Sequence, residues 1–306
     1  MGVNPALDKA LLTPTDTAVR RWTWASLVAN ATLVLTGGLV RLTGSGLGCP
    51  TWPKCTPESF TPHRELGING VIEFGNRVLT YVLTAIAVGT LVAIWRWAAT
   101  TPFRRRLAVV LALGIPLQAV IGGITVLTDL NPWIVSLHLL LSMLLVAGSM
   151  VLIMDVRGLQ RVDVPPAAVM IAGALGAMVA VVVYLGTVVT GSGPHAGDAE
   201  VPRNGLNPQV MSHIHAGAVY LLIGLTVLLL VVLRNHAAAG AVRLVLAVEL
   251  AQGVIGFVQY FTDLPVAIVA AHLVGAAVLV AVTTRLLVAV VVPVHSADAQ
   301  RSASIA

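Results

Sequence analysis

The segment VIEFGNRVLTYVL (71–83) places a carboxylate, an amide and a guanidinium within five residues of an otherwise apolar run. Glu73, Asn76 and Arg77 are costly in hydrocarbon, and ionisable groups kept at membrane depth are functional candidates by default. Glu73 and Arg77 are spaced i, i+4, and Glu73 and Asn76 i, i+3, so a helix carries all three on one face. Two readings stand side by side: an internal ion pair that fixes packing, or a carboxylate beside a reactive group, with Arg77 holding it.

Three histidines extend the pattern. His138, His215 and His272 each lie about six residues inside the end of an apolar run, so their depths match. A single membrane histidine is usually an interhelical hydrogen-bond donor. Three at one depth suit axial ligation of a haem iron instead, His215 and His272 forming a closed bis-imidazole pair. Gly253, Gly256 and Gly275 would let a flat macrocycle approach the backbone. His213, two positions from His215, points elsewhere on its helix and reads as an interfacial residue. Cys49 and Cys55, in CPTWPKC, are the only cysteines. Two thiols without C-x-x-C spacing make an incomplete zinc site, which leaves a structural disulfide or a redox-active pair.

The elements that must position these groups are membrane helices. The chain is 57% apolar and 10% charged, against roughly 45–50% and about 25% in soluble domains. Eight apolar runs fall at 22–41, 70–95, 107–127, 133–154, 167–190, 209–233, 242–261 and 266–292, each long enough to span about 30 Å of hydrocarbon. The net charge of +5 does not signal nucleic acid, because the basic residues sit in short clusters between runs. Lys9, Arg20, Arg21, Arg96, Arg104–Arg106, Arg157, Arg161, Arg234, Arg243, Arg285 and Arg301 mark one side. The positive-inside rule makes that side cytoplasmic, with both termini, and turns the site toward the outer leaflet of the cell membrane. The first run follows Arg20-Arg21 at full length and is expected to stay as an anchor rather than be cleaved.

The chain is also duplicated. QAVIGGITVLTDLNPWIVSLHL (118–139) matches QGVIGFVQYFTDLPVAIVAAHL (252–273) at a constant offset of 134 residues, and TGSG recurs at 43–46 and 190–193. Four helices per half make a parallel repeat. The expected fold is an all-α polytopic membrane protein of eight transmembrane helices in two pseudo-symmetric four-helix bundles. Its expected parts are a tail (1–21), an N-terminal bundle (22–157), a C-terminal bundle (158–292) and a second tail (293–306). Alignment of the second and sixth runs sets Glu73 over Ser212, Asn76 over His215 and Arg77 over Ala216. A neutral amide is a poor iron ligand, so a first-half haem would be open on one side, as a reactive site requires.

Through TGSGLGCPTWPKC, EFGNR, the two TDL…H segments, GTVVTGSGPHAGD and HIH, the chain resembles the haem A synthase family of cytochrome oxidase assembly across nearly all eight runs. The resemblance implies an oxidoreductase that converts the C8 methyl of haem O to the formyl of haem A, with oxygen from water. It implies Glu73, with Arg77, as the catalytic group, His138 as the substrate-haem ligand, and His215 and His272 as haem b ligands. It sets Cys49 and Cys55 over an outer-loop pair. Implied partners are haem O, the lipid bilayer, a haem O-producing farnesyltransferase and a quinone or other electron acceptor, with room for a homo-oligomer. The sequence departs from the family's Glu-x-x-His-Arg at Asn76, which leaves His138 alone on the substrate iron, brings in His63, or marks a first-half site that has lost activity; the presence of Glu73, Arg77 and His138 favours retained activity. Two other readings compete: a non-catalytic di-haem electron carrier and a haem transporter or chaperone.

Overall fold

The computed structural model describes residues 14–159 and 162–291. Lys9, Arg161, Arg301, the second tail and most of the first lie outside the described residues. Eight helices are long and apolar enough to cross a membrane, and no strand occurs among the described residues. In chain order they are α1 (Asp16–Leu42), α2 (Gly67–Arg96), α3 (Pro102–Leu127), α4 (Pro132–Val156), α5 (Pro166–Ser192), α6 (Pro208–Leu233), α7 (Ala239–Phe261) and α8 (Val266–Val290). The chain is therefore an all-α, multi-pass membrane protein.

The helix starts follow local chemistry. Proline occupies the first turn of α3, α4, α5 and α6, where its missing N–H is not needed. Thr15, Thr101, Asn131 and Asn207 cap α1, α3, α4 and α6 through their side-chain oxygens. α1 begins six residues before its apolar run. Thr15 caps it there, and Asp16 accepts a hydrogen bond from Trp97 Nε1 at 2.7 Å, tying this end to the end of α2.

Helix contacts run from α1 through α2 and α3 to α4 and back to α1, and from α5 through α6 and α7 to α8 and back to α5. α4 and α8 meet between the two rings, flanked by α1 against α8 and α4 against α5. The largest apolar core, which includes Val146, Ile153, Leu175, Leu229, Val242 and Leu286, lies toward the end opposite the long loops 43–66 and 193–207. There Arg104 also pairs with Asp155, joining α3 to α4.

The repeat is visible in the backbone. Asp129 and Leu130 after α3, and Asp263 and Leu264 after α7, all have φ between 49° and 57°. Leu130 N donates to Thr125 O at 2.8 Å and Leu264 N to Gln259 O at 3.2 Å, the same closure 134 residues apart. This satisfies helix-end carbonyls in the manner of a Schellman cap, with leucine in a region most side chains avoid. Burial supplies the compensation at Leu130, which packs with Ala196 and Val201 of the other long loop.

The two long loops are stitched together. Gly46 N donates to Gly197 O at 2.8 Å. Arg41, at the end of α1, donates to the carbonyls of His195 (2.6 Å) and Thr190 (2.9 Å), and the His195 ring meets Leu264 O at 3.0 Å. At Gly48 a Cβ would fall 2.2 Å from Asn69 O and 2.8 Å from Gly70 N, both backbone atoms with nowhere to move. Gly48→Ala is therefore expected to cost about 1–3 kcal/mol by overpacking, read as a lower melting temperature of the purified protein in detergent. An unchanged melting temperature would contradict this close approach of loop and helix.

Candidate functional site

The polar cluster of α2 is drawn up against the first long loop. Glu73 is 5% exposed. Its Oε1 pairs with Arg77, at 2.5 Å from Nη2 and 3.2 Å from Nε, and its Oε2 accepts the backbone N–H of Cys49. Arg77 then donates to three loop carbonyls: Thr51 (3.0 Å), Lys54 (3.1 Å) and Cys49 (3.1 Å). Cys49 and Cys55 form a disulfide that closes this loop. Four of the residues singled out in the sequence are thus one assembly, in which the guanidinium is consumed by the carboxylate and the loop backbone. Charge-assisted bonds of this kind hold both orientation and charge.

The loop reaches onward to α3. Trp52 lies over Gly123, where a Cβ would fall 2.3 Å from the indole. The adjacent Gly122 faces the His138 ring, whose Cε1 would be 3.3 Å from a Cβ there. The disulfide loop and His138 therefore abut consecutive glycines of one helix. Gln118, one turn below, donates to His138 O (3.1 Å) and Ser142 Oγ (2.7 Å), bracing α4 at this depth.

The same contact recurs in every helix pair. His215 lies against Gly186 of α5 (3.4 Å from a built Cβ), His272 against Gly256 of α7 (3.8 Å), and Asn76 against Gly37 of α1 (3.9 Å). His138, His215 and His272 stand six, seven and six residues inside the loop ends of α4, α6 and α8, about 9–10 Å along the axis. Their matched depth agrees with the sequence spacing. Gly253 faces open space, whereas Gly275 is covered by the Gln252 side chain and offers no approach to a planar ligand.

The residues present fit a haem in the second half. Nδ1 of His138 and of His272 is buried without a hydrogen-bond partner, a costly state for a polar atom that serves packing alone. On three of the four helices of this half burial thins at this level: α6 buries nothing before Leu222, α7 only Gln259 after Glu249, and α8 only Ala270 before Ala277, while α5 stays buried at Thr187 and Val188. In the first half Asn76 is already committed, its Oδ1 accepting from Thr36 Oγ1 at 2.7 Å. His138 is the remaining nitrogen donor at that depth. His63 is exposed in the loop, 3.3 Å from Thr56 Oγ1, and lies 13 residues before Asn76. His213 meets Tyr260 OH at 3.3 Å near the loop end, apart from His215. Among the described residues no group of three His, Cys, Asp or Glu forms a metal cluster.

One group escaped the sequence reading. Glu249, in the middle of α7, is 1% exposed and accepts a hydrogen bond from Thr226 Oγ1 at 2.8 Å. The rule that singled out Glu73, an acid inside an apolar run, applies equally to VLAVELAQ (245–252). The glycine partners Gly122 and Gly256 also keep the 134-residue register and were legible by that signal.

A family model described as cytochrome oxidase assembly protein matches residues 20–284. The chain is 29% identical over 233 residues to a heme A synthase of Methylorubrum extorquens, which covers 63% of this chain and 60% of that protein. It is 25% identical over 146 residues to a heme A synthase of Listeria welshimeri, 46% of each. A 144-residue match, 31% identical, links it to a protoheme IX farnesyltransferase of Halobacterium salinarum, covering 47% of this chain and 30% of that one. The chain thus spans less than two thirds of the length of these relatives.

Removing Arg77 would strand a buried carboxylate and three carbonyls, so Arg77→Ala is expected to cost about 3–5 kcal/mol. The loop 49–63 should then be cut faster by protease than in Glu73→Gln, where Arg77 keeps its carbonyl partners. Equal cleavage rates in the two variants would show that Arg77 does not hold the loop.

Proposed function

This chain belongs to the cytochrome oxidase assembly protein family, and we propose on that premise that it oxidises the C8 methyl of haem O to the formyl of haem A. The observation that carries this reading is the recurrence of one contact, a ring or amide against a glycine, at four matched positions with imidazole at three of them. The relatives named heme A synthase support it. The partial match to a farnesyltransferase supports a place next to the step that supplies haem O.

Taking a methyl to a formyl group with water as oxygen source releases four electrons and four protons. His138 is the residue that would hold the substrate iron in the N-terminal half (22–157), where the other depth-matched position is Asn76, an amide bonded to Thr36. Glu73 supplies a fixed negative charge near this site, suited to stabilising positive charge that develops as the methyl is oxidised. Arg77 acts as a positioning residue: it orients Glu73 and holds the disulfide loop over α3. In the C-terminal half (158–292), His215 and His272 would hold haem b, which supplies one-electron transfer when bound. A quinone or other acceptor is the class of partner that would take up the electrons. The clusters of arginine at the opposite end support cytoplasmic termini in the cell membrane and a site toward the outer leaflet.

The competing carrier reading requires two nitrogen ligands in each half, and Asn76, bonded to Thr36, does not supply the fourth. Glu73→Ala separates the readings. Haem A formation is expected to fall about 10²-fold or more, while extracted haem stays at the parent level. A variant that still makes haem A at the parent rate would sink the role of Glu73. His215→Ala and His272→Ala are each expected to abolish the low-spin spectrum of the second-half haem; its persistence in either would refute that ligand assignment.

A further inference from the structure

Glu249 stands about 15 Å from one end of α7 and about 18 Å from the other, at the helical rise per residue. Its Oε1 has a single donor, Thr226 Oγ1, and its Oε2 has no hydrogen-bond partner. Leu222, Leu229, Val245 and Ala277, all fully buried, belong to the apolar core at this level. An acid here cannot hold charge without a compensating one.

The helices packed against α7 are α6 and α8. Their titratable groups are His213, His215 and Tyr220 on α6, and His272 and Arg285 on α8; α7 itself adds Arg243 and Tyr260. Each lies at least one and a half turns from the Glu249 level, about 9 Å along the axis. Among the described residues Glu249 has no ion-pair partner, in contrast to Glu73. Gly256, against the His272 ring, is two turns along the same helix, about 10 Å away. The first half carries Ile115 at the matching repeat position, 2% exposed. The carboxyl is thus specific to the half that would hold haem b.

From this geometry we propose that Glu249 is a proton-binding site whose occupancy follows the charge of the group held by His215 and His272. The inference rests on the haem reading given above. Arg243 and Arg285 stand about 9 Å away along the axis and make no ion pair with Glu249. The charge at a comparable distance that changes with redox state, and so can compensate a carboxylate in one state and not the other, is that of a haem held by His215 and His272. When one electron arrives at the haem, that compensation is lost and one proton binds Glu249. When the electron leaves for the acceptor, the proton leaves with it. Oxidation of the substrate methyl releases electrons and protons in equal numbers, so the step balances without a further reactant. Thr226 positions the carboxyl: its hydroxyl lies 2.8 Å from Glu249 Oε1 and 3.1 Å from Leu222 O, so it can donate to the carboxylate, or accept from the acid while donating to Leu222 O.

The test is a spectroelectrochemical titration of the haem-loaded, full-length protein across pH, alongside redox-difference infrared spectra. In the parent protein the midpoint potential of the second-half haem should fall as pH rises, because reduction takes up a proton. A carboxylic C=O band should appear on reduction. In Glu249→Gln, which keeps shape and hydrogen bonding, the potential should become independent of pH and the band should vanish. Thr226→Val should keep the dependence but displace the pH range over which it occurs. A parent potential that is flat with pH, or a Glu249→Gln variant that retains the parent slope, would overturn the proposal while leaving haem binding intact. A parent protein that takes up no haem would overturn both, and the absent haem spectrum distinguishes that case.

Discussion

Hydrocarbon solvates neither a carboxylate nor an unpaired amide, so a polar side chain inside this bundle is costly until it finds a partner. The ion pair of Glu73 with Arg77 is the fullest answer to that demand. Because the guanidinium has donors left after binding the carboxylate, it also gathers three loop carbonyls, and the loop end of the first half is organised around it. The disulfide closes the same loop, Trp52 seats it on α3, and Gly122 beside that seat receives His138. Remove the demand for charge compensation and there is no reason for these elements to converge.

The two halves show what duplication leaves fixed and what it frees. The helix-ending turns at Asp129–Leu130 and Asp263–Leu264 share an uncommon backbone shape, and the glycine beneath each polar side chain persists in all four helix pairs. Chemistry has diverged on that common frame. Asn76 stands where its counterpart is His215. Gly123, which admits Trp52, is matched by Phe257, which is exposed. Ile115 is matched by Glu249. One half carries a loop-covered ion pair and the other a solitary acid in a dry interior.

Most of the fold was legible in the sequence because membrane helices are set by composition over about 20 residues. All eight runs were found, with ends displaced by a few residues where Pro, Thr or Asn caps extend the helix beyond its apolar stretch. The depth of the histidines was legible too, since depth along a helix is a matter of counting. What counting misses is rotation and partnership. That Glu73 would spend its second oxygen on the N–H of Cys49, or that Gly275 would be filled by Gln252, depends on how helices turn against one another and on a loop whose path no periodicity specifies. Glu249 differs, for its signal was present in VLAVELAQ, but without a neighbouring cation to make a recognisable motif.

The seam between the loops carries one more implication. Arg41 is fastened to the carbonyls of Thr190 and His195, and His195 to that of Leu264, so the ends of both bundles lie under a continuous, cross-braced roof. Such a roof resists being lifted from one side only. A large, greasy ligand would meet less resistance travelling sideways, out of the lipid and between two helices, than descending from the aqueous face. The bilayer would then serve as the corridor through which cargo reaches the protein, and the loops as its ceiling.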